Sequence, residues 1–187
     1  MRVINSGSMF TGQGLIAAQT IESVKNNPTK NQIRPMVEGF KNEVQAFAIP
    51  GSIAYLHERA RQKGDKSVGF LAGLIGKALD IAPIMRAYQD DTSAVAKVKG
   101  YENAVNRVLD SAIKAIKKGL TSHYICVSIA DELDALHTFS RYSDFLAAAE
   151  NANLTVLTSV MNMTGAINIG PGSFSLSLAT DQGELKF

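Results

Sequence analysis

Apolar and polar positions alternate along the chain in a way that predicts helices and strands in succession. At the start, Arg2–Ser6 predicts a short apolar strand, and the turn Gly12-Gln13-Gly14 opens an apolar helical run through Lys25. A second helix is predicted where apolar residues recur on one helical face, and a strand is predicted over residues 46–49. The residues of that helical face are Met36, Val37, Phe40 and Val44.

The middle of the chain predicts a hairpin and a long helix. Ile81–Tyr88 and Ala94–Val98 flank the polar turn 89–93, which predicts two antiparallel strands. Tyr101–Lys118 carries apolar residues at helical spacing, and Gly119 is expected to end that helix. A helix of small residues is predicted over residues 70–79.

The last third predicts a strand, a helix and two further strands. Tyr124–Ala130 is an apolar strand, Asp131 is expected to cap a helix running to about Asn151, and Leu154–Val160 is the next strand. A strand, helix and strand at this spacing predict a parallel crossover. The alternating run Ser173–Leu178 predicts a final strand with one buried face.

Pro50-Gly51-Ser52 is the strongest break in the pattern. Ser52 has the side chain of a helix N-cap, so a helix is expected to begin at Ile53. We therefore place a domain boundary there, which divides the chain into residues 1–52 and 53–187.

Composition excludes several classes of function. The chain has 19 Lys and Arg against 17 Asp and Glu, a net charge of +2, which argues against broad electrostatic binding to nucleic acid or anionic membrane. Cys126 is the single cysteine, so a disulfide within the chain is impossible and a reducing, cytoplasmic location is expected. No apolar run approaches the roughly 18 residues of a membrane span.

The segment Gly12-Gln13-Gly14-Leu15-Ile16-Ala17 has two possible meanings. It fits the G-x-G-x-x-A form of a dinucleotide-binding turn, which would make the protein a nucleotide-using α/β enzyme. That site also requires a second strand with an acidic residue about 20 positions later, whereas residues 31–44 predict a helix. The other interpretation is a glycine turn that packs closely against its neighbours.

Metal and catalytic motifs are missing from the sequence. His57, His123 and His137 are scattered, and none has a partner at metal-ligand spacing. No serine, cysteine or carboxylate lies in a nucleophile motif. Gly170-Pro171-Gly172 predicts a rigid turn, which either presents backbone amides to a ligand or only connects to the last strand.

Four segments, in this order and spacing, resemble the landmarks of the DegV family over nearly the whole chain. They are Ile4-Asn5-Ser6-Gly7-Ser8-Met9-Phe10-Thr11-Gly12-Gln13-Gly14-Leu15, Ile81-Ala82-Pro83-Ile84-Met85, Lys97-Val98-Lys99-Gly100 and Asn168-Ile169-Gly170-Pro171-Gly172. The resemblance implies a DegV-like α/β fold. Residues 1–52 would be the remnant of a parallel-sheet first domain, and residues 53–187 would form a mixed-sheet second domain.

The resemblance also implies a function. DegV-like proteins hold a long-chain fatty acid in a buried tunnel, and some present its carboxylate to a separate fatty acid kinase subunit. The chain would then be a lipid carrier with no catalytic residue, no cofactor and no metal. Part of the family's carboxylate-binding motifs is expected upstream of Met1, so a fold-retaining interaction module without ligand is a further alternative.

The resemblance assigns seven ligand-site residues, and the assigned polar positions depart from the family pattern. Asn168 stands where the family usually has His, and Lys99 stands where Arg is usual. Arg61 matches the arginine of a Gly-Gly-Arg segment whose glycines are replaced here. The candidate ligand-binding residues are Asn168, Gly170, Gly172, Arg61, Lys99, Ser6 and Ser8.

Overall fold

A computed structural model describes residues 3–64 and 80–187. The predicted helix over residues 70–79 lies outside the described residues. Within them, one six-stranded sheet has the order β3-β2-β1-β6-β4-β5, in which β4 and β5 are parallel and the other neighbouring pairs are antiparallel. The strands are β1 (Val44–Ile49), β2 (Ile81–Tyr88), β3 (Asp91–Lys99), β4 (Tyr124–Ile129), β5 (Thr155–Val160) and β6 (Phe174–Ala179).

Helices cover both faces of this sheet, so the predicted α/β class is confirmed. They are α1 (Thr11–Val24), α2 (Lys30–Phe40), α3 (Ile53–Lys63), α4 (Tyr101–Lys118), α5 (Tyr142–Asn151) and α6 (Met163–Ile169), with a 3-10 helix at Leu133–Thr138. The Ser52 hydroxyl accepts a hydrogen bond from the Tyr55 amide at 3.2 Å, which confirms the predicted cap of α3. None of the described helices is long and apolar enough to cross a membrane.

One face of the sheet carries the main apolar core. Because successive side chains of a strand point to opposite faces, Phe174, Leu176 and Leu178 of β6 all lie on this side. They pack with the buried stripe of α4, including Val105 and Leu109. The apolar stripe seen in the sequence over 101–118 is the face that packs on the sheet. The spacing of that stripe therefore predicted α4 with its correct bounds.

The opposite face of the sheet is built from small side chains. In register across the central strands, Ser175 pairs with Ala48 and Ser128, and Ser177 pairs with Ala46 and Cys126. Helix α1 lies directly on β1, β4 and β6. The expected single buried face of β6 is therefore wrong, because α1 covers its serine side and α4 covers its apolar side, and every residue from 174 to 179 is buried.

The predicted strand Arg2–Ser6 is also wrong in its described part, since residues 3–6 form no helix or strand. Their polar groups bind the tip of the β2–β3 hairpin instead of a neighbouring strand. The Asn5 side-chain amide donates to Asp90 Oδ1 at 2.7 Å, and the Asp90 amide donates to the Gly7 carbonyl at 3.2 Å. The segment that precedes α1 is thus fixed by tertiary contacts.

The predicted hairpin is confirmed, but its turn is shorter than residues 89–93. Gln89 and Asp90 alone connect the strands, with φ of 49° and 67°, and β3 already begins at Asp91. Positive φ at both positions is the geometry of a type I′ hairpin turn. The polar residues 91–93 lie in the first part of β3, an edge strand, where polar side chains can contact water.

The helix expected from Asp131 to Asn151 is divided in two. Asp131 caps no helix, and Phe139 has an extended backbone between the 3-10 helix and α5. Extension places the Phe139 ring in the core, with ring centroids 6.0 Å from Tyr101 and 5.9 Å from Phe174. Aromatic burial therefore overrides the local helical pattern. The predicted parallel crossover from β4 to β5 is confirmed.

The domain boundary between residues 52 and 53 stays a prediction. Strand β1 precedes it, yet β1 pairs antiparallel with β2 on one side and with β6 on the other. The described strands on both sides of the proposed boundary therefore share one sheet.

The main core generates a stability prediction. Phe145 of α5 is fully buried in this core, so Phe145→Ala should lower the free energy of unfolding by about 3–5 kcal/mol. Ile21→Ala is the control, since Ile21 is 66% exposed and should change stability by less than about 0.5 kcal/mol. Urea unfolding followed by circular dichroism measures both. Equal effects of the two substitutions would contradict this account of the core.

Candidate functional site: two adjoining cavities on the small-residue face

Two cavities open beside α1 on the small-residue face of the sheet. The larger, about 580 Å³, lies between the start of α1, the carboxyl-terminal halves of β4 and β5, and α6. The smaller, about 270 Å³, lies between β1, β2 and α3. Met9, Phe10 and Asn168 line both cavities, so the two adjoin at these residues. Sites of this size and position commonly hold small-molecule ligands.

The smaller cavity combines an apolar floor with a cationic side. Ala48 of β1, Met85 of β2 and Ile169 of α6 belong to one buried apolar cluster beneath it. Helix α3 supplies the charges, Arg59 and Lys63. An elongated apolar ligand with an anionic end is chemically matched to such a surface.

The larger cavity is lined by hydroxyl groups and by Cys126. Thr11 and Ser175 hydroxyls are hydrogen-bonded at 2.8 Å, whereas the buried Ser8 hydroxyl has no partner within the described structure. The Asn162 side chain accepts from the Gly165 amide at 2.8 Å and so caps α6. An unpartnered buried hydroxyl at the edge of a cavity is available to a ligand.

Three of the sequence-predicted residues lie at or beside these cavities. Asn168 lies where the cavities adjoin, and its Oδ1 accepts a hydrogen bond from the Lys63 ammonium. Ser8 lines the larger cavity. The Ser6 hydroxyl donates to the Ser8 carbonyl and accepts from the Ser8 amide, both at 3.3 Å, and so shapes the loop that carries Ser8.

Gly170 and Gly172 lie in the turn behind the site and line neither cavity. Gly170 has φ of 107°, and a Cβ there would lie 2.8 Å from the Tyr55 ring. Gly172, with φ of 71°, donates its amide to the Ala130 carbonyl at 2.9 Å. The turn is thus a tight connection that positions Asn168 at the cavities.

Arg61 and Lys99 are not brought to the cavities. Arg61 forms a two-point ion pair with Glu58, at 2.8 and 2.9 Å, on the exposed side of α3. Hydrogen bonding to Glu58 raises the pKa of Arg61 and lowers that of Glu58. Lys99 is exposed at the end of β3.

The cations that do line the site, Arg59 and Lys63, were not among the sequence candidates. Helical spacing places both cations on one face of α3, because the four residues of α3 that line the smaller cavity follow the i, i+3, i+4, i+7 pattern. Only the docking of α3 shows that this face meets the cavity. Arg61 lies outside that pattern. The four residues are Leu56, Arg59, Ala60 and Lys63.

Gly12 is a close-packing position. A Cβ at Gly12 would lie 1.9 Å from the Ser8 hydroxyl and 2.8 Å from the Ala46 Cβ. The described residues that precede it, 3–10, form no strand, so the strand–turn–helix context of a dinucleotide site is not met there. The closely packed interpretation of this glycine turn therefore agrees with its surroundings.

Cys126, the thiol that lines the larger cavity, lies in a buried environment. Burial raises the pKa of the Cys126 thiol to about 11. Because the thiolate is the reactive form, Cys126 is inert near neutral pH. Within the described ranges, His, Cys, Asp and Glu side chains form no group of three that could hold a metal ion.

Comparison with known proteins decides the family. The model described as "Uncharacterised protein, DegV family" matches residues 1–181. The chain belongs to the DegV family. DegV domain-containing proteins of two Xanthomonas species, X. campestris and X. axonopodis, are 33% and 34% identical over 181 residues. These matches cover 97% of this chain but 58% of each relative.

Solved DegV structures share the fold. The Bacillus subtilis protein, described as a fatty acid binding protein, has a TM-score of 0.71 at 18% identity, covering 95% of this chain and 60% of that one. A stearic acid-binding protein from Eubacterium ventriosum has a TM-score of 0.71 at 17% identity, covering 95% and 58%. A DegV family protein from Eubacterium eligens, loaded with heptadecanoic acid, has a TM-score of 0.69 at 17% identity, covering 96% and 61%.

The two glycines of the α1 turn provide a matched pair of substitutions. Gly12→Ala should lower the free energy of unfolding by about 1–3 kcal/mol, because the new methyl group overlaps Ala46 on the central strand β1. Gly14→Ala should be neutral or stabilising by up to about 1 kcal/mol, since its Cβ would meet only Cys126 Sγ at 4.0 Å and alanine favours the helix. Urea unfolding distinguishes them. A well-tolerated Gly12→Ala would refute the close packing of α1.

Proposed function

We propose that this DegV-family chain binds a long-chain fatty acid, with its acyl chain on the apolar floor and its carboxylate beside Lys63 and Asn168. The observation that carries the proposal is the junction of the two cavities. There, an apolar surface of Ala48, Met85 and Ile169 meets a cation that already donates to a side-chain oxygen. A bound carboxylate would replace that amide oxygen as the acceptor.

Acyl burial provides enough free energy for such a complex. Each buried methylene contributes about 0.8 kcal/mol, so fifteen of them contribute on the order of 12 kcal/mol before the costs of association. Those costs amount to several kcal/mol, which leaves micromolar or tighter binding within reach. Carboxylate contacts then orient the chain rather than supply most of its affinity.

The polar groups at the junction have distinct roles in this proposal. Lys63 supplies the positive charge. The Asn168 amide is uncharged and supplies a hydrogen-bond donor. The Ser8 hydroxyl, buried and without a partner among residues 3–64 and 80–187, is the third donor in this proposal. The Arg59 guanidinium is already engaged with the Ile167 carbonyl at 3.3 Å, so it fixes α6 beside α3.

The DegV structures with bound fatty acids support this ligand class. One contains heptadecanoic acid, and another binds stearic acid. By extension, we propose that the chain is a non-catalytic cytoplasmic carrier that presents the carboxylate to a separate fatty acid kinase subunit. The nearly inert Cys126 thiol is in keeping with a role without covalent chemistry.

Native mass spectrometry of protein expressed in bacteria provides the first test. A carrier should copurify with one fatty acid per chain, and delipidated protein should take up one equivalent of added palmitate. Protein that neither copurifies with a fatty acid nor takes one up would instead favour an interaction module without ligand. A thermal shift caused by ATP, NAD or NADP in the same preparation would favour the nucleotide-binding alternative.

The carboxylate assignment is tested by two substitutions on α3. Lys63→Gln should weaken palmitate binding about tenfold or more, since it removes a charge-assisted contact worth about 1.5–3 kcal/mol. It should leave the binding of methyl palmitate unchanged, because the ester lacks the negative charge. Arg61→Gln is the matched control two residues away, where the side chain faces Glu58.

Competition with a fluorescent fatty acid measures these affinities. Loss of palmitate binding in Arg61→Gln but not in Lys63→Gln would mean that Arg61, and not Lys63, binds the carboxylate. Equal losses for the acid and its ester in Lys63→Gln would mean that Lys63 acts through packing rather than charge.

A further inference from the structure

Methionine side chains gather beside the two cavities. Met9, Met85 and Met161 belong to one apolar cluster with Ala48 and Ile169. Met9 lines both cavities, Met85 lines the smaller one, and Met161 lines the larger one. Met36, by contrast, lies on α2 and is 41% exposed. Methionine is therefore concentrated where the proposed acyl chain would lie.

Met85 lines the smaller cavity and has small cross-strand neighbours. Its partner in β1 is Ala48, and its partner in β3 is Ala94, so both cross-strand neighbours carry only a methyl group. The β2–β3 register shifts between Ile84 and Met85, an irregularity of the kind that redirects a side chain near a functional site. Met85 is 4% exposed, so the room around it lies inside the protein.

Met161 contrasts with Met85 in its surroundings. A Cβ placed on Gly165 would lie 2.7 Å from Met161 Cγ, so the Met161 side chain is packed tightly against the backbone of α6. Met161 is therefore in close contact with Gly165 of α6. Of these two methionines, Met85 is the one whose neighbours leave it room to change rotamer.

We infer that Met85 makes the acyl site tolerant of chain shape, so that straight saturated, cis-unsaturated and methyl-branched fatty acids bind with similar affinity. An unbranched side chain with three rotatable bonds repacks around differently shaped ligands at little cost. Alanine neighbours on both strands keep those rotamers accessible. The inference rests on the proposed function and extends it from fatty acids in general to acids of varied shape.

Displacement of a fluorescent fatty acid from the delipidated protein tests this tolerance directly. Acids of equal carbon number with straight, cis-unsaturated and iso-branched chains should give dissociation constants within about tenfold of one another. A rigid apolar pocket commonly discriminates by about 10–200-fold for a change of one methylene group. A spread well beyond tenfold in the wild-type protein would overturn the inference.

Variants at position 85 test whether Met85 is the residue responsible for the tolerance of acyl-chain shape. Met85→Ile introduces a side chain that is stiff at χ1 yet suited to a strand, and it should widen the spread among the three acids beyond about tenfold. Met85→Leu retains the volume and should have a smaller effect in the same direction, and it serves if the isoleucine variant does not fold. Met36→Ile is the matched control and should bind like the wild type.

The possible outcomes distinguish a failure of shape tolerance from a failure of fatty acid binding itself. A protein that binds none of the acids contradicts fatty acid binding itself, and the shape tolerance fails with it. A protein that binds one shape tightly and rejects the others retains its function but contradicts tolerance. An unchanged spread in both position-85 variants contradicts the role of Met85.

Discussion

The close approach of α1 to the small-residue face of the sheet is the constraint on which the rest of the site depends. Gly12 leaves no space for a side chain against Ala46 of β1, and the Thr11 hydroxyl is bonded to Ser175 of β6. Backbones approach this closely only where side chains are absent or small. The start of the helix therefore rests on the central strands, and the two cavities lie on either side of it.

The two cavities follow from that arrangement. Helix α1 does not span the six-stranded sheet, so the carboxyl-terminal halves of β4 and β5 line one cavity and the β1–β2 floor lines the other. Helices α3 and α6 then close the smaller cavity from above, through Tyr55 and Arg59, which both donate to the Ile167 carbonyl. Stability and the proposed function are thus divided between the two faces, since the large apolar side chains fill the face opposite the proposed fatty acid site.

Local patterns predicted most of the elements for an identifiable reason. Helix α4 has a strong apolar stripe and a terminating glycine, and β4 is a continuous apolar run, so each agrees with the tertiary structure around it. Predictions failed where distant contacts outweighed local preference. Residues 3–6 are held by the hairpin tip some 85 positions away, and Phe139 leaves the helix to enter the core. The site was predicted unevenly for the same reason, because Asn168 and Ser8 lie in recognisable segments whereas Lys63 reaches the cavities only through the docking of α3.

The sequence by itself determined the α/β class, the family resemblance and most of the described strands and helices, but not α6 or the break at Phe139. These depend on residue type and on spacing within a few turns, which the chain carries directly. Tertiary structure alone decided that both faces of β6 are buried and that Lys63, rather than Arg61, meets Asn168. It also decided that Met85 lies between two alanines. Those outcomes depend on register and on helix rotation, where a shift of one or two residues changes which side chain faces the cavity.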